Sequence, residues 1–381
     1  MNALARVSSL AVLAALLWSL SLARAESVPI GRYVELPIGR AVGHAYAASG
    51  GDGRRTGQSR FVAPLQAPVR QWSVTRFERV FVPPAVRADG TLLVAGREGV
   101  LAFDPSGKLL WGAPVGSVRF TPALSASGEA VVNAGGKLFV LALDGKAREL
   151  PLADRARGMP LLLDSDVLVA PGRDGQAHVL GLDGGYLASV PLADRAPRFS
   201  ADLGHGLIAI AGESELLTLL SPQGGSERTV RLPGPLMSPP IVTRQRTLLG
   251  LTERGSVIEI DAAGSVTSWA DFGAGVLALG PARGRDGGLR VGLRHGEIAC
   301  LGPGGGERWR RGIDGPPSAI ALDRDDTALV LSSRGTLYAI DAAGELRWRV
   351  STEVQSGGRP VLGGDGLVYL VGRGGRLEAW R

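Results

Sequence analysis

The chain has few of the side chains that usually perform covalent or metal chemistry. Its 381 residues include one cysteine, Cys300, and four histidines, His44, His178, His205 and His295. A single cysteine cannot form an intrachain disulfide, covalent c-type haem needs a C-x-x-C-H motif, and thiolate zinc or iron–sulfur sites need several cysteines. None of the histidines is paired with another ligand type at the spacing of a recognisable metal site. We therefore expect no catalytic residue, no metal and no cofactor.

Long hydrophobic runs are also scarce, and the one present lies at the N-terminus. Residues 7–22 are almost uninterruptedly apolar, with Arg6 before them and Ala23-Arg24-Ala25 after them. The run of 16 residues is shorter than the roughly 20 that cross a bilayer, so it predicts a Sec-type signal peptide over residues 1–25, with an uncleaved signal anchor as the alternative. No cysteine is present there to carry a lipid anchor. We expect a periplasmic or secreted protein, soluble after cleavage, with no transmembrane segment.

Glycine and proline, by contrast, are abundant. The sequence contains 56 glycines and 24 prolines, and 45% of its residues are hydrophobic. This composition is too apolar for disorder and too rich in glycine for a helical bundle, and the glycines show no collagen period. The composition is typical of a β-protein with many tight turns.

One phrase repeats along the chain with a period of about 40 residues. It consists of a glycine, an alternating apolar run, an aspartate and a second glycine three residues later, and its clearest copies span residues 99–111, 255–264 and 335–348. The aspartate, or the residue in its place, recurs at positions 104, 142, 181, 221, 261, 302, 341 and 381. A fixed period of this length is typical of propellers and solenoids.

Each unit predicts four short antiparallel strands joined by glycine-containing turns, as residues 84–112 illustrate. The predicted fold is therefore all-β, an eight-bladed β-propeller of four-stranded blades over residues 63–381. The eighth unit stops at its third strand, and residues 70–74 supply the missing strand, so that an N-terminal strand closes the C-terminal blade. Seven blades are the alternative if the degenerate unit at 201–231 does not form. Residues 26–62 are expected to be a packed but irregular leader.

The phrase apolar-Ala-Ile-Asp-x-x-Gly-x-x-x-Trp resembles the tryptophan-docking repeat of the PQQ-like β-propeller family, most closely at residues 104–111 and 341–348. Residues 51–59 also resemble the segment that precedes the first blade in exported members. The resemblance implies that one tryptophan per unit packs between neighbouring blades, namely Trp72, Trp111, Trp269, Trp309 and Trp348. Glu149, Ala188 and Arg228 stand where tryptophan is expected, and the resemblance implies weaker packing at those junctions.

The family divides into quinone-dependent dehydrogenases and non-catalytic scaffolds, and the chain resembles the scaffold of outer-membrane assembly in size. The dehydrogenases carry vicinal cysteines beside the quinone, a calcium or lanthanide site and a catalytic aspartate. Cys300 alone cannot provide the vicinal pair and is expected to be a buried small hydrophobe. The resemblance therefore favours a non-enzymatic, monomeric binding scaffold in the cell envelope. A PQQ- or metal-dependent oxidoreductase and a surface glycan-binding module are the alternatives.

Arginines recur just before the third strand of six units, at Arg97, Arg173, Arg254, Arg294, Arg334 and Arg373. In a four-stranded meander these turns share one face with the connections between blades, which add Arg119, Arg155, Arg157, Arg195, Arg198, Arg311 and Arg359. We predict an arginine-rich face that binds an anionic partner: an envelope protein, an acidic glycan or a lipid headgroup. Nucleic acid is not expected for an exported chain. The alternative is that arginine merely tolerates hairpin turns in a chain whose lysines number only three.

Overall fold

The structure is a computed structural model that describes residues 44–381, except positions 49, 52–53, 77–78, 81, 153, 164–165, 205, 222–224, 276–279 and 356–357. The predicted signal peptide, the first part of the predicted leader and His205 lie outside the described residues. The described chain folds into eight four-stranded antiparallel sheets, and each sheet is one blade of a propeller.

The first four blades follow the chain in simple meander order. Blade 1 contains β2 (Ala85–Val86), β3 (Leu92–Ala95), β4 (Val100–Phe103) and β5 (Leu109–Ala113). Blade 2 contains β6 (Ala123–Leu124), β7 (Ala130–Ala134), β8 (Lys137–Leu141) and β9 (Ala147–Leu150). Blade 3 contains β10 (Leu161–Leu162), β11 (Val167–Pro171), β12 (Gln176–Gly181) and β13 (Tyr186–Pro191). Blade 4 contains β14 (Pro197–Gly204), β15 (Leu207–Gly212), β16 (Leu216–Ser221) and β17 (Gly225–Arg231). The degenerate unit at 201–231 therefore does form a blade.

The last four blades continue this order until the chain ends. Blade 5 contains β18 (Ile241–Val242), β19 (Leu248–Leu251), β20 (Ser256–Ile260) and β21 (Val266–Asp271), and a turn of 3-10 helix, Gly273–Gly275, follows it. Blade 6 contains β22 (Ala282–Arg283), β23 (Leu289–Leu293), β24 (Glu297–Leu301) and β25 (Glu307–Gly312). Blade 7 contains β26 (Ala321–Leu322), β27 (Ala328–Leu331), β28 (Thr336–Ile340) and β29 (Leu346–Ser351). In blade 8, the C-terminal part of the chain supplies β30 (Val361–Leu362), β31 (Val368–Val371) and β32 (Arg376–Trp380).

The N-terminal strand β1 (Arg70–Thr75) completes blade 8 and closes the ring. It pairs antiparallel with β32 in a register that places Thr75 opposite Arg376 and Arg70 opposite Trp380. The amide of Val69 donates to the Arg381 carbonyl at 2.6 Å, and the amide of Arg381 returns a bond to Val69 at 3.0 Å. The predicted closure of the C-terminal blade by an N-terminal strand is confirmed, and so is the eight-bladed all-β fold.

The hydrophobic core lies between the blades. Successive residues of a strand point to opposite faces of the sheet, so adjacent residues contact different neighbours. In blade 1, Leu92 packs in a cluster shared with blade 8, whereas Leu93 packs in a cluster shared with blade 2. The described residues contain eight such clusters, one at each of the eight junctions. Because each core is shared by two blades, no blade completes its own core.

Aspartates close the turns between the third and fourth strands. Asp104 Oδ1 accepts hydrogen bonds from the amides of Ser106 at 2.9 Å and Lys108 at 3.0 Å. Asp341 receives equivalent bonds from Ala343 and Glu345. A hydrogen bond from the Ser106 hydroxyl, with these amide bonds, holds the pKa of Asp104 below its usual range. These hydrogen bonds within the turn explain why an aspartate recurs at this position, and no bound metal or ligand is needed to account for it.

Tryptophans of the outer strands contact the next blade through these turns. Trp72, Trp111 and Trp309 donate their indole N–H to the carbonyls of Pro105, Leu143 and Ala342 at 2.8, 2.8 and 2.9 Å. Each indole also lies against the turn glycine of that blade, namely Gly107, Gly145 and Gly344. Trp348 bonds instead to the Pro64 carbonyl at 2.7 Å, since blade 8 has no continuous turn at the corresponding place. Trp269 differs and donates to Glu259 of its own blade at 2.9 Å.

Arginines take the place of tryptophan at two of the junctions for which we expected weaker packing. In blade 2, Arg148 lies beside Glu149 and donates to the carbonyls of Leu182 and Asp183 in the turn of blade 3, at 2.5 and 3.4 Å. In blade 4, the Arg228 side chain lies against Gly264 in the turn of blade 5. A guanidinium can fill this position because it is planar and carries several donors. At the third junction, that of Ala188, the turn of blade 4 lies outside the described residues.

Replacing Gly344 by alanine tests the docking of Trp309 on the neighbouring blade. Gly344 has φ +88°, and a Cβ there would lie 2.8 Å from the indole. We expect a loss of about 1 kcal/mol from the left-handed backbone and about 1–3 kcal/mol more from overpacking. Gly304→Ala is the matched control. Gly304 has φ +83° in the corresponding turn of blade 6, but a Cβ added there would have no neighbouring atom within 4 Å. Equal free energies of unfolding for the two variants would contradict the docking role.

Candidate functional site

The meander places two kinds of loop on one face of the ring: the turns between second and third strands, and the connections between blades. We call this the turn-arginine face. The structure places each of the six predicted arginines in such a turn, in blades 1, 3, 5, 6, 7 and 8, and all six are exposed: Arg97, Arg173, Arg254, Arg294, Arg334 and Arg373. They are separated from one another by the width of a blade or more, so they do not form a single cluster.

Carboxylates counter part of the charge of this outer ring. Arg97, Arg173 and Arg254 each have an acidic neighbour in the chain, at positions 98, 174 and 253. Arg254 also forms an ion pair with Glu215, with 2.9 Å between Nη2 and Oε1. Exposed pairs of this kind contribute little to stability, but they reduce the net charge that a partner meets.

Asp314 provides a further countercharge, beside Arg334. Burial alone would raise the pKa of Asp314, but hydrogen bonds with Ser332, Thr336 and Tyr338 and the charge of Arg334 hold it below its usual range. The hydroxyl of Thr336 donates to Asp314 Oδ2 at 2.6 Å. Asp314 is therefore ionised at neutral pH and offsets the positive charge of the nearby turn.

Positive charge is also concentrated at the centre of the face. Connections from all eight blades, together with the first strands that follow them, surround a central depression of about 310 Å³. Five arginines are among its lining residues: Arg55, Arg119, Arg198, Arg359 and Arg373. No aspartate or glutamate is among the described residues that line it. Of the six turn arginines, Arg373 is the one that reaches this depression.

The floor of the depression is a segment of the chain that precedes β1, and we call residues 44–64 the N-terminal strap. Its carbonyls accept hydrogen bonds from the innermost strands on opposite sides of the ring: Ala47 from Leu124 of blade 2 at 2.8 Å, and Thr56 from Arg283 of blade 6 at 2.8 Å. Between these points the Arg54 carbonyl accepts a bond from Val242 of blade 5 at 2.9 Å. The strap thus crosses the central channel, and the depression opens on the turn-arginine face.

Two of the lining arginines are held in place by backbone carbonyls. Arg359 is 6% exposed, and its Nη2 donates to Gly280 at 3.2 Å and to Pro281 at 3.1 Å. Arg55, in the strap, is 3% exposed and donates from Nε to the Ser200 carbonyl at 2.9 Å. Arg119, Arg198 and Arg373 are exposed instead. The depression therefore combines buried, hydrogen-bonded guanidinium groups at depth with exposed ones at its mouth.

Most of the remaining lining is apolar. Val82, Phe120, Met159 and Met237 contribute side chains to the wall, and the Arg198 guanidinium lies 5.3 Å from the ring centroid of Phe199. A concave apolar surface with a few polar groups is the usual form of a small-molecule site.

The described residues offer little for covalent or metal chemistry. No group of three or more His, Cys, Asp or Glu side chains among them could hold a metal ion. Cys300 lies on β24, fully buried, and burial raises the pKa of its thiol. His178 is buried in blade 3 and contacts Asp174 and Tyr186. In the part of the chain from residue 44 onward that the structure describes, no helix is long and apolar enough to span a membrane.

The sequence analysis anticipated part of this site. It predicted that Arg119, Arg198 and Arg359 share a face with the turn arginines, and the structure brings these three residues and Arg373 to one depression. It did not identify Arg55 or the crossing of the channel by residues 44–64. The sequence signal for the strap was the resemblance of residues 51–59 to the segment that precedes the first blade in exported family members. That resemblance does not predict the path of the strap across the channel.

Comparisons with known proteins agree with this fold. The family described as outer membrane protein assembly factor BamB matches residues 294–380. The solved structure of BamB from Moraxella catarrhalis is 17% identical and has a TM-score of 0.65, over 83% of this chain and 98% of that one. The computationally designed Ika8 protein is 14% identical, with a TM-score of 0.66 over 82% of this chain and 99% of that one. The family match therefore covers the last part of the ring, and the solved structures share the propeller fold.

A protein with an enzymatic name also has this architecture. Virginiamycin B lyase from Staphylococcus aureus is 14% identical and has a TM-score of 0.53, over 81% of this chain and 98% of that one. A comparison with curated proteins gives no match. Similarity at these identities shows the fold, and the fold accommodates both enzymes and scaffolds.

Replacing Gly57 by alanine tests whether the strap is locked across the channel. Gly57 has φ +73°, and a Cβ there would lie 2.1 Å from Arg359 Nη1 and 2.8 Å from the Ala282 Cβ. We expect the variant to lift the strap and to speed tryptic cleavage after Arg54, Arg55 or Arg60 about tenfold, which corresponds to about 1.4 kcal/mol of local opening.

Gly51→Ala is the matched control, because Gly51 also lies in the strap, with φ +96°, but its nearest neighbour would be an ordinary contact at 3.6 Å. Cleavage rates monitored by mass spectrometry distinguish the two variants. Equal rates for Gly57→Ala and Gly51→Ala would show that the contact with Arg359 does not hold the strap.

Proposed function

We propose that this protein is an exported, non-catalytic scaffold of cell-envelope assembly that acts as a monomer and binds an acidic protein segment on its turn-arginine face. The observation that carries the proposal is the recurrence of an exposed arginine in the same turn of six blades, on one face of the ring. The match of residues 294–380 to a family of outer-membrane assembly factors supports an envelope role. The predicted signal peptide supports export.

Arginine suits this role for two physical reasons. Its guanidinium matches carboxylates in a two-pronged geometry and keeps its charge at any physiological pH. A concave positive surface also concentrates the field and raises the rate at which an acidic partner associates. Loops on a rigid ring can vary without loss of the fold, so specificity resides in the turns and connections of one face.

A protein partner is favoured over a glycan or a lipid headgroup. The turn arginines are distributed over six blades, so a ligand that contacts several of them must span much of the ring. The family that matches the last blades is described as an assembly factor, which is a protein-binding role. The binding test described below distinguishes a protein partner from a glycan or a lipid.

Replacing three turn arginines tests the partner face. We expect Arg97→Gln, Arg254→Gln and Arg334→Gln together to weaken binding to isolated envelope protein at least about fivefold, because three exposed charge contacts contribute about 1–3 kcal/mol in sum. Binding by the unsubstituted protein should fall as salt rises, and the variant should show a smaller dependence. Biolayer interferometry across a salt series measures both quantities.

The matched control removes three exposed arginines from the opposite face, with Arg244→Gln, Arg285→Gln and Arg324→Gln. Its net charge equals that of the test variant, so a difference between the two variants reports position rather than total charge. The proposal is wrong if both variants bind like the unsubstituted protein. Binding that survives protease treatment of the envelope material would indicate a glycan or a lipid and overturn the choice of a protein partner.

A further inference from the structure

The central depression contains cationic groups that are available to a ligand. Within the part of the chain that the structure describes, the guanidinium groups of Arg119, Arg198 and Arg373 have no ion pair, and no hydrogen-bond acceptor contacts them. They come from the connection before blade 2, the first strand of blade 4 and the last turn of blade 8. Three like charges that converge on one concavity without a countercharge repel one another, and a bound anion relieves that repulsion.

Ser238 points independently to a ligand at the same place. It belongs to the connection before blade 5, is 3% exposed and lines the depression. Its hydroxyl is buried and has no hydrogen-bond partner among the described residues. Buried hydroxyl groups in native proteins are almost always bonded, so this one is left to bond a group in the depression, either water or a ligand oxygen that displaces it.

The shape of the depression limits the size of that ligand. Its volume of about 310 Å³ lies at the lower end of the range for small-molecule sites. The described residues of the N-terminal strap cross its far end. Its mouth lies on the turn-arginine face, where the connections between blades surround it.

The wall of the depression sets the chemistry of the ligand. Phe120, Met159 and Met237 offer apolar contact to the body of a ligand, while the arginines and the Ser238 hydroxyl offer donors to its oxygens. Guanidinium groups form two-pronged bonds with carboxylate and phosphate oxygens alike. We propose that the central depression is a binding site for a small organic anion, with carboxylate or phosphate groups on a compact apolar body. Arg373 is the one turn arginine in this site, and the inference does not depend on the proposed protein partner.

Isothermal titration calorimetry with the mature protein and defined probes tests this site. The probes are phthalate, which presents two carboxylates on a ring, and phenyl phosphate, which presents one phosphate on the same body. Inorganic phosphate lacks the apolar body, and benzamidine carries the opposite charge. We expect phthalate or phenyl phosphate to bind with a dissociation constant that rises with salt. Inorganic phosphate should bind at least about tenfold more weakly, since it loses the apolar contact, and benzamidine should not bind.

Variants locate the binding in the depression. Arg119→Gln with Arg198→Gln should weaken the affinity for the better probe at least about tenfold, because two charge-assisted contacts are lost. Arg97→Gln with Arg254→Gln removes the same charge from the outer ring and should change the affinity less than about twofold. Ser238→Ala should weaken it about threefold through the loss of one neutral hydrogen bond. All the arginines changed are exposed, and thermal unfolding checks that each variant folds.

Two results would overturn the inference. One is that neither phthalate nor phenyl phosphate binds the unsubstituted protein at millimolar concentration. The other is that the outer-ring pair weakens binding as much as the central pair, which would mean that the probes respond to the general field of the face. Because this titration contains no envelope material, its failure is separate from failure of the proposed scaffold function.

Discussion

The pairing of β1 with β32 is the contact on which the rest of the structure depends. The chain ends at the third strand of blade 8, and without β1 that sheet would present an unpaired edge. The same strand carries Trp72, whose indole reaches the first turn of blade 1. One antiparallel pairing therefore both completes the last blade and joins it to the first. Since every core cluster is shared between two blades, an open ring would expose apolar surface at both of its ends.

Closure of the ring and construction of the candidate site use the same part of the chain. The strap leads directly to β1, and on its way it crosses the channel and provides Pro64 as the acceptor for Trp348. Its backbone bonds to the innermost strands of blades on opposite sides fix the floor of the depression. The depth of the site and the integrity of the ring are consequently coupled, because a displaced strap would alter both.

The distribution of charge on the turn-arginine face separates two kinds of arginine. Four of those in the outer turns have an acidic neighbour, namely Arg97, Arg173, Arg254 and Arg334. Those around the depression have none among the described lining residues. Charges of one sign that line a concave surface produce a stronger electrostatic potential than the same charges dispersed over a convex surface. The centre of the face is thus the place where we propose that a small anion binds.

The sequence alone determined the number of blades, the strand order and the closure by residues 70–74, because a period near 40 residues and alternating apolar strands are local properties of the chain. It also placed the turn arginines on one face, since the meander topology follows from strand order. Only the tertiary structure decided that Arg148 and Arg228 contact the next blade at positions that lack tryptophan, and that Arg55 meets Arg119 and Arg198 in one depression. These contacts join residues that are far apart in the chain and come from a strap outside the repeat, so no period or spacing encodes them.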